Sequence, residues 1–145
     1  MTPLLRNATA ADMQAIRALL DSNGLPTSDL AFSQARFTVA CEGQRIIGAG
    51  ALQRFGETAL LRSVAVAADR RGKGLGRHLV KALENQARAA GVRHLVLLTL
   101  SARRFFELQD YRPIDRAQAP KAMRASAEFR SLCPATAVCL AKTLR

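Results

Sequence analysis

Arg71-Gly72-Lys73-Gly74-Leu75-Gly76 stands between the apolar run Leu60-Leu61-Arg62-Ser63-Val64-Ala65-Val66 and a stretch in which Leu75, Leu79, Leu83 and Ala87 recur every fourth residue. The run reads as the end of a strand, Thr58 to Val66. The periodic stretch reads as an amphipathic helix to about Ala90, with Gly91 as its left-handed stop. Glycines without a Cβ let backbone N–H groups approach an anion closely, and the helix that follows adds the positive end of its dipole. Such a turn suits a pyrophosphate. The Rossmann spacing G-x-G-x-x-G is not met by Gly72-x-Gly74-x-Gly76, and the Gly-Lys-Ser/Thr ending of a Walker loop is absent. Taken in isolation, the segment also fits a basic turn that only begins a helix.

Working outward, His94 to Thr99 is a buried strand of Leu and Val, followed by a short helix from Ala102 to Gln109 with paired Phe105 and Phe106. Strand, helix, strand implies a parallel pairing, and a right-handed crossover places the glycine turn at the carboxyl end of the first strand, where open α/β sheets bind ligands. Upstream, Leu4 to Ala8 reads as a strand. A helix spans Asp12 to Leu20, with Thr9 or Asp12 as its cap and Gly24 with Pro26 beyond its end. Phe37 to Cys41 and Arg45 to Leu52 form a hairpin about Glu42-Gly43-Gln44. The tail carries a last strand through Val138 and Leu140, whose exposed edges suit pairing across a homodimer.

The chain has 145 residues, nearly half of them apolar, which predicts a single domain over residues 1–145 with one hydrophobic core. No repeat or low-complexity linker interrupts it. No apolar run approaches the ~20 residues of a bilayer span, so a cytoplasmic protein with no membrane partner is expected. The net charge of +11 attracts polyanions of any kind. With one Tyr, no Trp and six Phe that are not interleaved with basic residues, the stacking platform of a single-strand nucleic-acid binder is missing. Cys41, Cys133 and Cys139 have no metal-ligand spacing and are odd in number, as are reduced, buried thiols. His78 and His94 also lack such spacing, and no metal site is expected.

The order of elements resembles the GNAT acetyltransferase superfamily, whose pyrophosphate loop follows Arg/Gln-x-x-Gly-x-Gly/Ala, matched here by Arg71-x-x-Gly74-x-Gly76. The similarity runs from Leu5-Arg6-Asn7-Ala8-Thr9 and Asp12 to Ala102-x-x-Phe105-Phe106. It implies an α/β fold with a mixed, mostly antiparallel sheet of six to seven strands, one central parallel pair and about four flanking helices. It further implies acetyl-CoA as acetyl donor, with Val64, Ala65 and Val66 beside the pantetheine arm. The amides of Arg71, Gly72, Lys73, Gly74, Leu75, Gly76 and Arg77 would surround the pyrophosphate. Lys73 and Arg77 either add charge there or are ordinary solvated residues.

Two positions depart from the family pattern. The usual tyrosine acid corresponds to Phe106 and the usual strand glutamate to Leu60, so neither proton-transfer group is present. Glu57, the nearest carboxylate in sequence, is then the candidate base. A thiol is a tolerable leaving group without an acid, and juxtaposition of amine and thioester, with a backbone N–H of Val64 or Val66 on the carbonyl, would carry much of the rate. Strand alternation puts Arg62 on the face of Leu60 and Val64, where its guanidinium, assisted by Ser63, would hold an acceptor's carboxylate or phosphonate. The alternative is a stem packed on the sheet with its charge reaching water.

The segment from Pro120 to Cys139 is similar to GNAT proteins of arsenic-resistance operons and to amino-acid N-acetyltransferases, which implies a small amine acceptor with an acidic group. In that setting Cys133 is a thiol nucleophile, an arsenical ligand or a buried structural thiol, and no nearby His is available to activate it. Two other readings remain: a peptide or protein N-acetyltransferase, and a basic nucleic-acid-binding module that has lost catalysis.

Overall fold

The computed structural model of the chain describes residues 3–31, 33–132 and 135–145, without the side chain of Ser131. Its strands are β1 (Leu4–Asn7), β2 (Arg36–Glu42), β3 (Arg45–Phe55), β4 (Thr58–Val66), β5 (His94–Thr99), β6 (Arg112–Pro113) and β7 (Val138–Thr143). Its helices are α1 (Met13–Ser22), α2 (Leu75–Ala89), α3 (Arg103–Glu107) and α4 (Lys121–Arg124), joined by a π-helical turn at Glu128–Leu132. The seven strands make one sheet in the order β1-β2-β3-β4-β5-β7-β6. Among the described residues β4 and β5 are its one parallel pair. The α/β architecture, the strand number and the central parallel pair agree with expectation.

α2 forms because its apolar residues repeat with helical period and its charged ones do not interrupt them. Leu79, Val80, Leu83 and Ala87 are buried, seated on β2, β3 and β4. Glycine makes this seat possible. A Cβ at Gly48 would stand 2.8 Å from Leu79 Cδ1, and one at Gly50 2.7 Å from Leu83 Cδ1. The close approach draws the N-terminus of α2 down against the end of β4.

Two expectations need adjustment. Of the two cap candidates, Thr9 caps the 3-10 turn Ala10–Asp12 that leads into α1, whereas Asp12 makes no cap bond to α1 and instead forms a bidentate pair with Arg6 at 2.7 and 2.9 Å and accepts from the Thr9 amide at 2.7 Å. The last strand is not the outermost strand of the sheet. β5 pairs along the whole of β7 on one side, while β6 covers Leu140 and Ala141 on the other. Cys41 and Cys139 are buried free thiols as expected, and Cys133 lies outside the described residues.

A buried polar cluster ties α2 to the far half of the sheet. Tyr111 Oη donates to Glu84 Oε2 at 2.8 Å, and Lys142 Nζ lies 3.0 Å from the same oxygen. Glu84 and Tyr111 are both buried, so loss of the phenol removes a donor to a charged, water-excluded acceptor. Tyr111→Phe is expected to cost roughly 2 kcal/mol, seen in urea titration as a lower midpoint with unchanged slope.

Candidate active site

β4 begins as an ordinary strand and does not end as one. Its parallel pairing with β5 runs through Thr58↔His94, Ala59↔Leu95 and Leu60↔Val96 and then stops, although both strands continue. On the other side, Ala51 faces Arg62 and Ala49 faces Ala65, so Ser63 and Val64 together oppose Gly50. Ser63 has φ +59, the left-handed value of a bulge residue. Past the bulge, β4 swings away from β5. The wedge between them is a cleft of about 480 Å³, lined by Leu61 to Val64, by residues 97–102 and by the Asn23–Pro26 segment, with Phe106, Leu132 and Ala137.

The bulge overturns one expectation. Arg62 and Val64 do not share a face. Arg62 keeps the face of Leu60, whereas Val64 crosses over, and a Cβ on Gly50 would meet its Cγ2 at 3.5 Å on the side where Leu83 of α2 lies. Alternation by two holds only while no extra residue enters the strand.

The glycine turn follows directly. Gly72 and Gly74 have φ +78 and +81, and a Cβ on either would meet nothing within 4 Å. Backbone conformation therefore explains these two glycines, with open space above them. Gly76 is different: its φ is negative, and a Cβ there would come within 3.3 Å of Phe105 Cζ. The first helical bond of α2 runs from His78 N to Gly74 O at 3.0 Å, so the amides of Leu75, Gly76 and Arg77 precede the helical ladder and have no carbonyl of their own turn to meet. Gly72, Lys73, Gly74 and Arg77 are exposed.

The predicted cofactor residues fall into two groups. Lys73, Gly74 and Leu75 line a cavity of about 610 Å³ with Glu42, Ile47, Arg70 and His78, whereas Val64 lines the cleft with Arg62 and Ser63. Ala65 and Val66 continue the strand between them. The Arg71 side chain turns back from the loop, donating from Nη2 to Asn23 Oδ1 at 2.6 Å and from Nε to Val66 O at 3.3 Å. Asn23 belongs to the cleft wall, so Arg71 ties the loop to that wall.

Arg62 lines the cleft as expected, but its guanidinium is engaged. Nη1 and Nη2 donate to the two oxygens of Asp29 at 2.5 and 2.8 Å, and Nε lies 3.2 Å from Ser63 Oγ and 3.4 Å from Glu128 Oε1. The side chain is 0% exposed and those of Asp29 and Glu128 are 3% and 5% exposed. The fork expected for an acceptor oxyanion is thus occupied by the chain's own carboxylate. Burial pushes the Glu128 carboxyl up to about 7, Arg62 opposing the shift and Asp29 adding to it. In the folded state Glu128 binds its proton more tightly than its ordinary value of 4.5 would allow in the unfolded chain. Its contribution to stability is therefore full below pH 4.5 and is lost as pH climbs through about 7. Thermal melts from pH 5 to 8 are expected to fall more steeply for the wild type than for Glu128→Gln.

Glu57 is at the wrong end. It sits in the β3–β4 turn, its carbonyl accepting from the amides of Arg93 and His94. The cleft begins four residues on, about 13 Å along the strand. Phe106 and Leu60 are buried, as apolar residues should be. Asp29 and Glu128 were not picked out from sequence. The available signal was an arginine inside Leu60-Leu61-Arg62, which requires a counter-charge if that strand is buried.

The family model described as "Acetyltransferase (GNAT) family" matches residues 10–111. The chain belongs to the GNAT acetyltransferase family. No curated protein matches it significantly in sequence. Among solved structures, the GNAT chain is similar to N-acetylglutamate synthase from Neisseria gonorrhoeae complexed with coenzyme A and N-acetyl-glutamate. The identity is 19% and the TM-score 0.86, over 100% of this chain and 36% of that one. It is also similar to a Mycobacterium tuberculosis protein in complex with CoA (24% identity, TM-score 0.82, 99% and 100% covered). A third is a GNAT-family acetyltransferase from Staphylococcus aureus (15% identity, TM-score 0.81, 99% of each chain). The chain spans about a third of the length of the N-acetylglutamate synthases it matches. At these identities the likeness shows a shared GNAT fold. Among the described residues no helix could cross a membrane.

Proposed function

We propose that this GNAT domain transfers acetyl from acetyl-CoA to the primary amine of a small, amino-acid-like acceptor. The observation that carries this reading is the wedge where β4 leaves β5, with the amides of an open glycine turn just beyond the same strand's end. The turn fits a diphosphate: two left-handed glycines with unobstructed space, three amides ahead of the helical ladder, and Lys73 and Arg77 exposed beside them. The strand edge of Arg62 to Val66, unpaired with β5, offers backbone partners to the amides of a pantetheine arm. Bound acetyl-CoA supplies a thioester carbon. The chain's task is to hold an amine against it and remove a proton.

A cleft of about 480 Å³ is on the scale of small-ligand pockets, which supports a free amino acid over a folded protein acceptor. The N-acetylglutamate synthase likeness supports an acceptor of the amino-acid class, including an acidic one, provided its carboxylate is met by groups other than the Asp29-bound fork of Arg62. An acetyl-transfer screen tests the proposal, with released thiol as readout and with amino acids, amino-phosphonates, arsenic-containing analogues and short peptides as acceptors. Thiol release that depends on a small amine is expected. Thiol release with peptides alone would move the acceptor to a protein N-terminus or lysine. Absence of CoA binding, with nucleic-acid affinity that falls steeply in salt, would replace the proposal with a binding module.

A further inference from the structure

We infer that the cleft selects acceptor amines with an apolar side chain and turns away those whose side chain is anionic. This rests on the acetyltransferase reading above and narrows its acceptor class.

The first argument is charge. Arg62 is the one charged residue among the described residues that line the cleft, and its guanidinium is engaged within its own chain. Both terminal nitrogens donate to Asp29, and Nε lies 3.2 Å from Ser63 Oγ. Two buried carboxylates, Asp29 and Glu128, stand against this single cation. The cluster therefore has no net positive charge, whether Glu128 is protonated or ionised, and lends the cleft no attraction for an anion. Arg71 and Arg116 touch wall residues, donating to Asn23 Oδ1 at 2.6 Å and to Ala137 O at 2.9 Å, but neither belongs to the lining. Ser131, Cys133 and Pro134, which adjoin Leu132 in sequence, have no cationic side chain.

The second argument is the polar groups that remain. Asn23 is used at both ends of its amide: Oδ1 accepts from Arg71, and Nδ2 donates to Leu19 O at 2.9 Å. Thr99 Oγ1 accepts from the Ala102 amide at 3.0 Å. The hydroxyls of Ser63, Thr99 and Ser101 have protons to donate, which suit the neutral oxygen of a thioester or an amide and do not neutralise a carboxylate. A carboxylate taken out of water without a cation is strongly disfavoured.

The third argument is the walls that the donor does not need. The pantetheine reading uses the edge of β4 from Arg62 to Val66. Opposite and around it stand Leu25 and Pro26 after α1, Leu98 and Leu100 at and just past the end of β5, and Leu132 and Ala137 ahead of β7. All six are apolar, and they come from three separate stretches of chain. Leu100 is 62% exposed, which puts it at the rim. An α-carboxylate at that rim keeps its water. A second anionic group, on the side chain, would exchange its water for leucine and proline.

The test is acetyl transfer by the wild type to near-isosteric pairs, leucine against aspartate and methionine against glutamate, compared as amine-dependent kcat/KM with released thiol as readout. Each pair shares its ammonium and α-carboxylate, so the ratio reads the side chain alone. The apolar member should lead each pair by at least ~30-fold, as expected when a site leaves a polar or charged group unpaired. Leu100→Lys places a cation at an exposed rim position and should move the aspartate-to-leucine ratio toward aspartate by about 5-fold, the scale of a partly exposed ion pair. Both acceptors meet the same variant, so any change in CoA binding cancels from that ratio. Use of aspartate or glutamate within about threefold of its partner overturns the inference and leaves the transferase reading intact. An unchanged ratio in Leu100→Lys overturns it as well, as does CoA binding with thiol release from none of the four acceptors. Wild type that binds no CoA refutes the parent reading too.

Discussion

Gly74→Val is expected to weaken CoA binding at least a hundredfold while leaving the chain folded. Gly74 precedes α2 at φ +81, a conformation a β-branched residue adopts only under strain. The space above it is open, so relief comes from turning the backbone and not from moving a neighbour. The amides that turn away are those proposed for the diphosphate. Two lost hydrogen bonds to a charged group are worth roughly 3–6 kcal/mol, and about 2.8 kcal/mol is already a hundredfold. Gly91, φ +86 at the other end of the same helix, supplies the control. Gly91→Val imposes like strain where no ligand is proposed, so its CoA affinity should match wild type by calorimetry. Equal binding by both variants would remove the glycine turn from the donor site. Gly76→Leu should also bind poorly, for a different reason: its side chain would press on Phe105.

Arg62→Met should be the most destabilising single change at the cleft, costing roughly 3–5 kcal/mol near pH 7.5. The methionine fills most of the stem's space but leaves Asp29 and Glu128 buried without a cation. For a chain of this size the melting temperature should fall by roughly 6–20 °C. Two companions isolate the cause. Lowering the pH toward 5 protonates Glu128 and should narrow the gap between variant and wild type. Combining Arg62→Met with Asp29→Leu and Glu128→Gln should recover most of the loss, since apolar or neutral replacement of a buried ion cluster is often neutral. A loss under about 1 kcal/mol in the single variant would mean that the cluster is wetter than its burial indicates.

What could be read from the sequence was local in origin. Gly91 announces a left-handed stop because other residues avoid positive φ, the spacing of Leu75 to Ala87 announces a helix because that period buries one face, and both are present where expected. The sheet order follows from the same logic, since a helix between two apolar strands leaves few ways to pair them. The site's electrostatics were not local. Asp29 and Glu128 stand 33 and 66 positions from Arg62, and nothing near either residue says which arginine it meets. With only 11 acidic residues against 22 basic ones, a search for the counter-charge of a strand-borne arginine was nevertheless short enough to attempt. The bulge was hidden more thoroughly. Serine has no preference that marks it as left-handed, so counting by twos along the strand puts Val64 on the wrong face.

That break in the count has a use. Before Ser63 the odd positions of β4 pack beneath α2, and after it the even ones do, so nine residues serve two compartments without an intervening loop. The side chains at 60 and 62 are insulated from the footing of α2 by this change of phase. Substitutions at those two positions therefore act on Asp29, Glu128 and the core around Met123, and leave the seat of α2 and the glycine turn that starts it in place.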